Sequence, residues 1–154
     1  MVTSRYKAFL VLAALIFLSA CEGGTPAPVS AAPGTEFTLS AGQTATIEGA
    51  GLTVQLVAVT NDERCPNRIE CAMSGPVTLT IAVQSEGVEP VEFTLQAFTS
   101  NNGRVPEGPF EGIQDRVEFN GYLIRVVGVL PYPETLADRN DLEDYQVTFV
   151  VSAR

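Results

Sequence analysis

Two cysteines, a nearby methionine and a run of carboxylates are the residues of this chain whose types could do chemistry. Cys65, Cys71 and Met73 could together offer Cu(I) a soft sulfur site. Cys65 and Cys71 could also form a redox-active pair, although five residues separate them where such motifs have two. The run Asp138-Arg139-Asn140-Asp141-Leu142-Glu143-Asp144 supplies oxygen ligands, and Asp138, Asn140, Asp141, Glu143 and Asp144 are its candidate set for Ca²⁺. It departs from the EF-hand template, because Leu142 occupies a ligand position and no glycine follows. A solvated loop leading into the last strand is the simpler expectation, and no metal is assigned. The chain has no histidine, and Lys7 is its only lysine. That removes the commonest general base, the Ser-Lys dyad, Schiff-base chemistry and most zinc or copper sites. No serine stands in a Gly-x-Ser-x-Gly elbow, and a glycosidase-like acid pair can be drawn by chance from 18 acids. The expectation is a chain that is not an enzyme and needs no cofactor.

The remaining cysteine, Cys21, stands at the end of a different kind of segment. Arg5 and Lys7 precede the apolar run Ala8–Leu18, which is too short to span a hydrocarbon core of about 30 Å. Its charge, length and small-residue ending fit a signal peptide over residues 1–20. The closing Leu18-Ser19-Ala20-Cys21 resembles the bacterial lipobox. That resemblance implies a diacylglyceryl group on the sulfur of Cys21 and cleavage between Ala20 and Cys21. Several acyl chains, at about 0.8 kcal/mol per buried methylene, make a stable anchor. The localisation expected is the cell membrane or outer membrane, lipid-anchored on the extracytoplasmic side.

Removing Arg5 and Lys7 from 9 bases and 18 acids leaves a mature formal charge of 7 − 18 = −11. Such acidity argues against nucleic acid and against a polybasic grip on anionic lipid. Residues 21–34 are the lipidated N-terminus and a spacer, EGGTPAPVSAAPG, rich in glycine, proline and small residues. This composition predicts a flexible tether with a reach of roughly 20 Å.

With Cys21 taken by lipid, an exported protein leaves Cys65 and Cys71 to each other in an oxidising compartment, and a disulfide is expected ahead of the metal and redox alternatives. The surrounding string, Asn61-Asp62-Glu63-Arg64-Cys65-Pro66 to Cys71-Ala72-Met73-Ser74-Gly75, resembles a loop of small uncharacterised bacterial lipoproteins. Those carry Asp-Ser-Arg-Cys-Pro, a second cysteine, then an aromatic-Ala-Gly before a strand. Here Glu63 replaces the serine and Met73-Ser74 the aromatic-Ala pair. Leu130-Pro131-Tyr132-Pro133 and the strand from Tyr145 fit the same pattern. The resemblance implies a β domain with this disulfide and no particular activity. Asp62 and Arg64 could pair or cap the turn, or face a ligand. Tyr132, between two prolines, could pack under the end of the fold or mark a contact patch.

These loops need a scaffold, and residues 35–154 predict one of period two. Val77, Leu79, Ile81 and Val83 alternate with polar or small residues, as do Val91, Phe93, Leu95 and Ala97, and Tyr145, Val147, Phe149 and Val151. Asn120-Gly121 predicts a two-residue hairpin pairing Phe119 with Tyr122 and Val117 with Ile124. Ser40–Gln43 reads as a second turn, joining Phe37/Leu39 to Ala45/Ile47. Eight strands follow, near 36–40, 43–48, 52–60, 76–85, 90–98, 115–119, 122–130 and 145–152. An all-β antiparallel sandwich, Ig-like or similar, is the expected fold, with a small closed barrel as the alternative. The function expected is a non-catalytic interaction domain that meets an unknown protein or glycan. An inhibitor or accessory of an envelope enzyme or assembly, or a purely structural envelope protein, are the other readings.

Overall fold

The computed structural model describes residues 27–140 and 142–154. Residues 1–20, Cys21 and the first part of the expected tether lie outside that range. Nine strands form two sheets: β1 (Val29–Ala31), β2 (Glu36–Ser40), β3 (Thr44–Ile47), β4 (Leu52–Asp62), β5 (Val77–Ser85), β6 (Val91–Ala97), β7 (Arg116–Phe119), β8 (Tyr122–Leu130) and β9 (Gln146–Ala153). One sheet has the order β1-β3-β4-β5-β6 and the other β2-β9-β8-β7. They face each other as an open sandwich and do not close into a barrel. Among the described residues no helix is long and apolar enough to cross a membrane.

The alternation of the sequence is what builds the core. Val77, Leu79, Ile81 and Val83 of β5 are wholly buried, and Tyr145, Val147, Phe149 and Val151 meet them from the other sheet. Between them, Thr78, Thr80 and Ala82 are half-buried and Gln84 is exposed. The β7–β8 hairpin has Phe119 opposite Tyr122 and Val117 opposite Ile124. Its turn residues Asn120 and Gly121 both take positive φ, 48° and 80°, as the tight turn requires.

Three expectations are corrected. Val29–Ala31, placed in the tether, is an edge strand running parallel to β3, with Val29 beside Ala45 and Ala31 beside Ile47. Composition averages over a whole segment, whereas an edge strand needs only three residues of backbone bonding and one small side chain, Ala31, that tucks inside. The Ser40–Gln43 turn does not make a hairpin. β2 pairs with β9 and β3 with β4, so the turn carries the chain from one sheet to the other. Inward-facing residues read the same in sequence whether the next strand pairs or stacks across the core. Third, β6 is less covered than its pattern suggests. Leu95 and Ala97 are buried, but Val91 stays 42% exposed at the start of this edge strand.

β4 runs two residues beyond the expected boundary and is irregular. Its register against β5 shifts between Leu56 and Ala58, and again between Val59 and Asn61. The first bulge moves the inward face from even positions to odd, so Val57 is exposed and Val59 buried. The second returns it to even positions and turns Asp62 inward. Asp62 therefore enters the core at one end of the sandwich, called here the disulfide pole. The turns at 48–51, 86–87 and 120–121 mark the opposite end.

Candidate functional site

The disulfide pole collects nearly every residue singled out above. Cys65 and Cys71 are joined by a disulfide, with Cα atoms 5.9 Å apart. Before that clip, the chain leaves β4 through a local turn: the Arg64 N–H donates to Oδ1 of Asp62 at 2.9 Å. This is the aspartate's usual bond to a donor two residues on. The same turn folds the guanidinium back onto the carboxylate, with Nε 3.0 Å from Oδ1 and Nη2 2.7 Å from Oδ2.

Both side chains are fully buried. A buried charge is tolerated only when its whole hydrogen-bonding capacity is met. Arg64 has five N–H donors. Nε and one proton of Nη2 serve Asp62. The other Nη2 proton goes to Pro131 O at 2.7 Å, and Nη1 reaches Val129 O at 3.1 Å and Thr99 Oγ1 at 3.3 Å. The guanidinium lies between two aromatic rings, 4.8 Å from the centroid of Tyr132 and 5.6 Å from that of Tyr145. Among the described residues no buried side-chain polar atom lacks a partner.

Asp62 is equally well satisfied. Besides Arg64, Oδ2 accepts from Tyr145 OH at 2.5 Å, and its backbone carbonyl accepts from Arg139 Nε at 2.6 Å. Burial pushes the carboxyl up, but the bonds from the Arg64 side chain, Tyr145 and the Arg64 N–H together outweigh it and hold the group below its ordinary value. The Tyr145 phenol moves the other way. Burial and then the neighbouring Asp62 carboxylate push it up to about 12.

The ligand-facing reading of Asp62 and Arg64 is thereby corrected: neither reaches solvent, and together they tie β4 to the carboxyl end of β8 and the start of β9. Tyr132 takes both of its expected places: part of it packs under the end of the fold, and its remaining surface lines an open groove with Leu130, Pro131 and Glu134. It is half-buried, stacks on Arg64 and donates its hydroxyl to Cys65 O at 2.9 Å. Two backbone bonds then lay the clipped loop along the following segment, Asn67 N to Pro133 O at 3.0 Å and Arg68 N to Glu134 O at 3.2 Å. The Arg68–Glu134 ion pair above them is solvent-exposed and adds little.

The described residues of the acidic run do not converge on a point. They form two short 3₁₀ turns, Asp138–Asn140 and Leu142–Asp144. Oδ2 of Asp138 caps the preceding turn, accepting from Glu134 N and Thr135 N at 2.9 and 2.7 Å. The bonds from Thr135 lower its pKa. Glu143 and Asp144 are exposed, while Leu142 packs against the core. Asp141 and the Asn140 side chain lie outside the described residues. Among those described, no three His, Cys, Asp or Glu side chains stand where they could share a metal ion. The Cu(I) reading fails because both cysteine sulfurs are spent on each other and Met73 is 86% exposed.

Four members of this cluster are not marked as such by the sequence. The alternation of the last strand marks Tyr145 only as an inward residue; the signal for more is its hydroxyl, which an inward position obliges to find a partner. Arg139 stands within the acidic run, where its residue type alone assigns it no partner. The carbonyls of Val129 and Pro131 carried no signal at all.

Outside the cluster the pole is open. A shallow groove of about 410 Å³ runs between Asn67, Leu130, Pro131, Glu134 and Gln146. A groove of about 430 Å³ lies at the other pole, among Thr46, Glu48, Thr53, Gln84 and Glu86. Ile69, Met73, Leu130 and Leu136 project from the disulfide pole with 38%, 86%, 50% and 57% of their surface exposed. The chain matches no protein-family model, no curated protein and no solved structure.

Proposed function

We propose that this protein is a lipid-anchored extracytoplasmic interaction domain, held by Cys21 and working without catalysis through its disulfide pole. The observation that carries the reading is the buried Arg64. One side chain, by bonding Asp62, Thr99, Val129 and Pro131, makes a single stiff platform of three separate loops. A platform of that kind limits the ordering entropy of an encounter. Its outer face carries large apolar side chains that the described residues leave partly exposed. The groove beside them is open and shallow, which suits a macromolecular surface better than an enclosed small molecule.

The chemistry-bearing groups support the non-catalytic part of the reading. The strongest polar cluster in the fold is sealed from solvent and has no donor left to offer a substrate. The anchor is supported by the leader and by the four residues ending at Cys21.

A photo-crosslinking residue at position 73, compared with one at position 88 on the opposite pole, tests the interaction surface in intact cells. Adducts concentrated at position 73 are expected; equal or reversed yields reject it. Acyl labelling of Cys21→Ala tests the anchor separately, and label retained by that variant rejects lipidation.

A further inference from the structure

The first described residues show from which direction the N-terminal segment arrives. β1 runs parallel to β3, and Gln43 Nε2 donates to Ala27 O at 2.9 Å. Leu56 N donates to Gln43 O, so Ala27 lies level with the middle of β4. β3 and β1 both run toward the 48–51 turn. Followed backwards from Val29, the chain therefore heads for the Asp62 end of β4, the disulfide pole.

Six residue steps separate Cys21 from Ala27, and no conformation stretches them beyond about 20 Å. The domain uses most of that length. From the level of Leu56 to that of Asp62, the partner strand covers Ile81 to Val77, four steps or about 13 Å. The 63–76 loop begins there. An α-carbon at position 21 can then stand only about 7 Å beyond the end of β4. The 48–51 end is the same four steps away, Ile81 to Ser85, so it is the direction of β1 and not the length that favours the disulfide pole.

The exposed apolar residues have the same bias. Seven large ones are exposed among the described residues, and four of them, Ile69, Met73, Leu130 and Leu136, are on the disulfide pole. Arg68 pairs with Glu134 on this face and Glu70 is exposed beside Ile69, so there is no cationic excess to attract anionic headgroups. It fits the interfacial layer of a zwitterionic bilayer, where apolar side chains are buried at headgroup depth.

We propose that the partner of the disulfide pole is the bilayer that holds the anchor, with Met73, Ile69 and Leu136 seated in its interfacial layer. This rests on lipidation at Cys21. The short leash and the apolar face then act together: one keeps the pole within reach of the membrane, and the other keeps it there.

The chain contains no tryptophan, so Met73→Trp and Val88→Trp each introduce a single fluorophore, one per pole. Acylated full-length variants in phosphatidylcholine vesicles, some carrying headgroup-level spin-labelled lipid, give the readout. Emission from Met73→Trp should shift to the blue and be quenched several-fold more than emission from Val88→Trp. Equal or reversed quenching overturns the proposal while leaving the anchor intact. Flotation of the same samples separates the two readings, since a chain that stays with the soluble fraction overturns the anchor and the orientation together. A protein, rather than lipid, captured by the crosslinker at position 73 also overturns it and leaves the interaction surface standing.

Discussion

The Tyr145 hydroxyl stands 2.5 Å from Oδ2 of Asp62, joining the first residue before β9 to the last residue of β4 in the opposite sheet. Arg64 completes the link on the other side of the carboxylate. The two sheets are thus fastened at one pole by a charged cluster in a region that could have been filled with aliphatic side chains. Buried ion pairs give little net stability over an apolar replacement, but breaking one is costly. The cluster fixes which loops meet, and the stability of the pole then depends on all its members being present.

Arg64→Ala should therefore lose about 3–5 kcal/mol, because it strands the Asp62 carboxylate in the core. Arg64→Lys should recover little of it, since an ammonium has three donors where five are used. The double change Asp62→Leu with Arg64→Met should be less damaging than Arg64→Met alone. Urea unfolding of the four variants measures the order; a double variant weaker than the single one would mean that the carboxylate is not the source of the penalty.

Acid should act through the same carboxylate. Its folded pKa lies below the unfolded value of about 3.9, so the unfolded chain binds the proton first. The contribution of Asp62 is fully present above that pH and is lost as pH falls through the folded value. Unfolding midpoints between pH 6 and pH 2 should fall less steeply in the Asp62→Leu, Arg64→Met variant than in the parent.

Alkali tests Tyr145. Its folded pKa of about 12 is above the unfolded value, so between about pH 10 and 12 the unfolded chain gives up its proton first. Stability should fall with rising pH across that window, by about 2–3 kcal/mol in all. Tyr145→Phe should flatten this slope and lower neutral-pH stability by about 1.5–3 kcal/mol, the worth of a hydrogen bond to a charged group. Ultraviolet titration of tyrosinate supplies an independent check, since one late-ionising phenol should disappear in the variant.

How much of this pole was legible depended on how local its causes are. The β5 and β9 alternation and the Asn120-Gly121 hairpin rest on contacts between neighbours in sequence, and the expected pairing of Val117 with Ile124 is found. The Asp62–Arg64 turn is equally local, and its capping alternative was open from the residues alone. The carbonyls of Val129 and Pro131, which decide that Arg64 faces inward, lie 65 and 67 residues away. No residue type marks them. The two bulges of β4 are similarly silent, because Leu52–Asp62 contains no glycine or proline at the irregular positions. β1 escaped for the opposite reason: its neighbours in sequence are turn formers, and only the edge of β3 makes it a strand.

Gly103 is a position where the backbone demands glycine. It takes a φ of +78°, and a Cβ there would lie 2.6 Å from Val129 O and 2.5 Å from Leu130 Cδ2. Its own N–H and carbonyl are both used, the latter by Val129 N at 2.8 Å. Gly103→Ala should destabilise by more than about 1 kcal/mol, because the strained φ and the clash add. The effect should extend into the buried cluster, since Val129 O is also an acceptor for Arg64; increased hydrogen exchange at Val105 and Val129 amides would show it, and unchanged exchange with unchanged stability would contradict it.

The disulfide and the buried cluster hold the same loop by different means, and removing one tests the independence of the other. Closing a loop of about seven residues is worth roughly 2.4 kcal/mol in the chain-entropy model. Cys65→Ser with Cys71→Ser should lose up to that amount. It should not release the loop, because Tyr132 OH still bonds the carbonyl of residue 65, and Asn67 and Arg68 still donate to the 133–134 backbone. Asp62, Arg64 and Tyr145 make no contact through sulfur, so the late-ionising phenol near pH 12 should persist in the double variant. If that phenol instead ionised near pH 10, the clip would be shown to organise the cluster, and Arg64 could no longer be regarded as holding the pole together by itself.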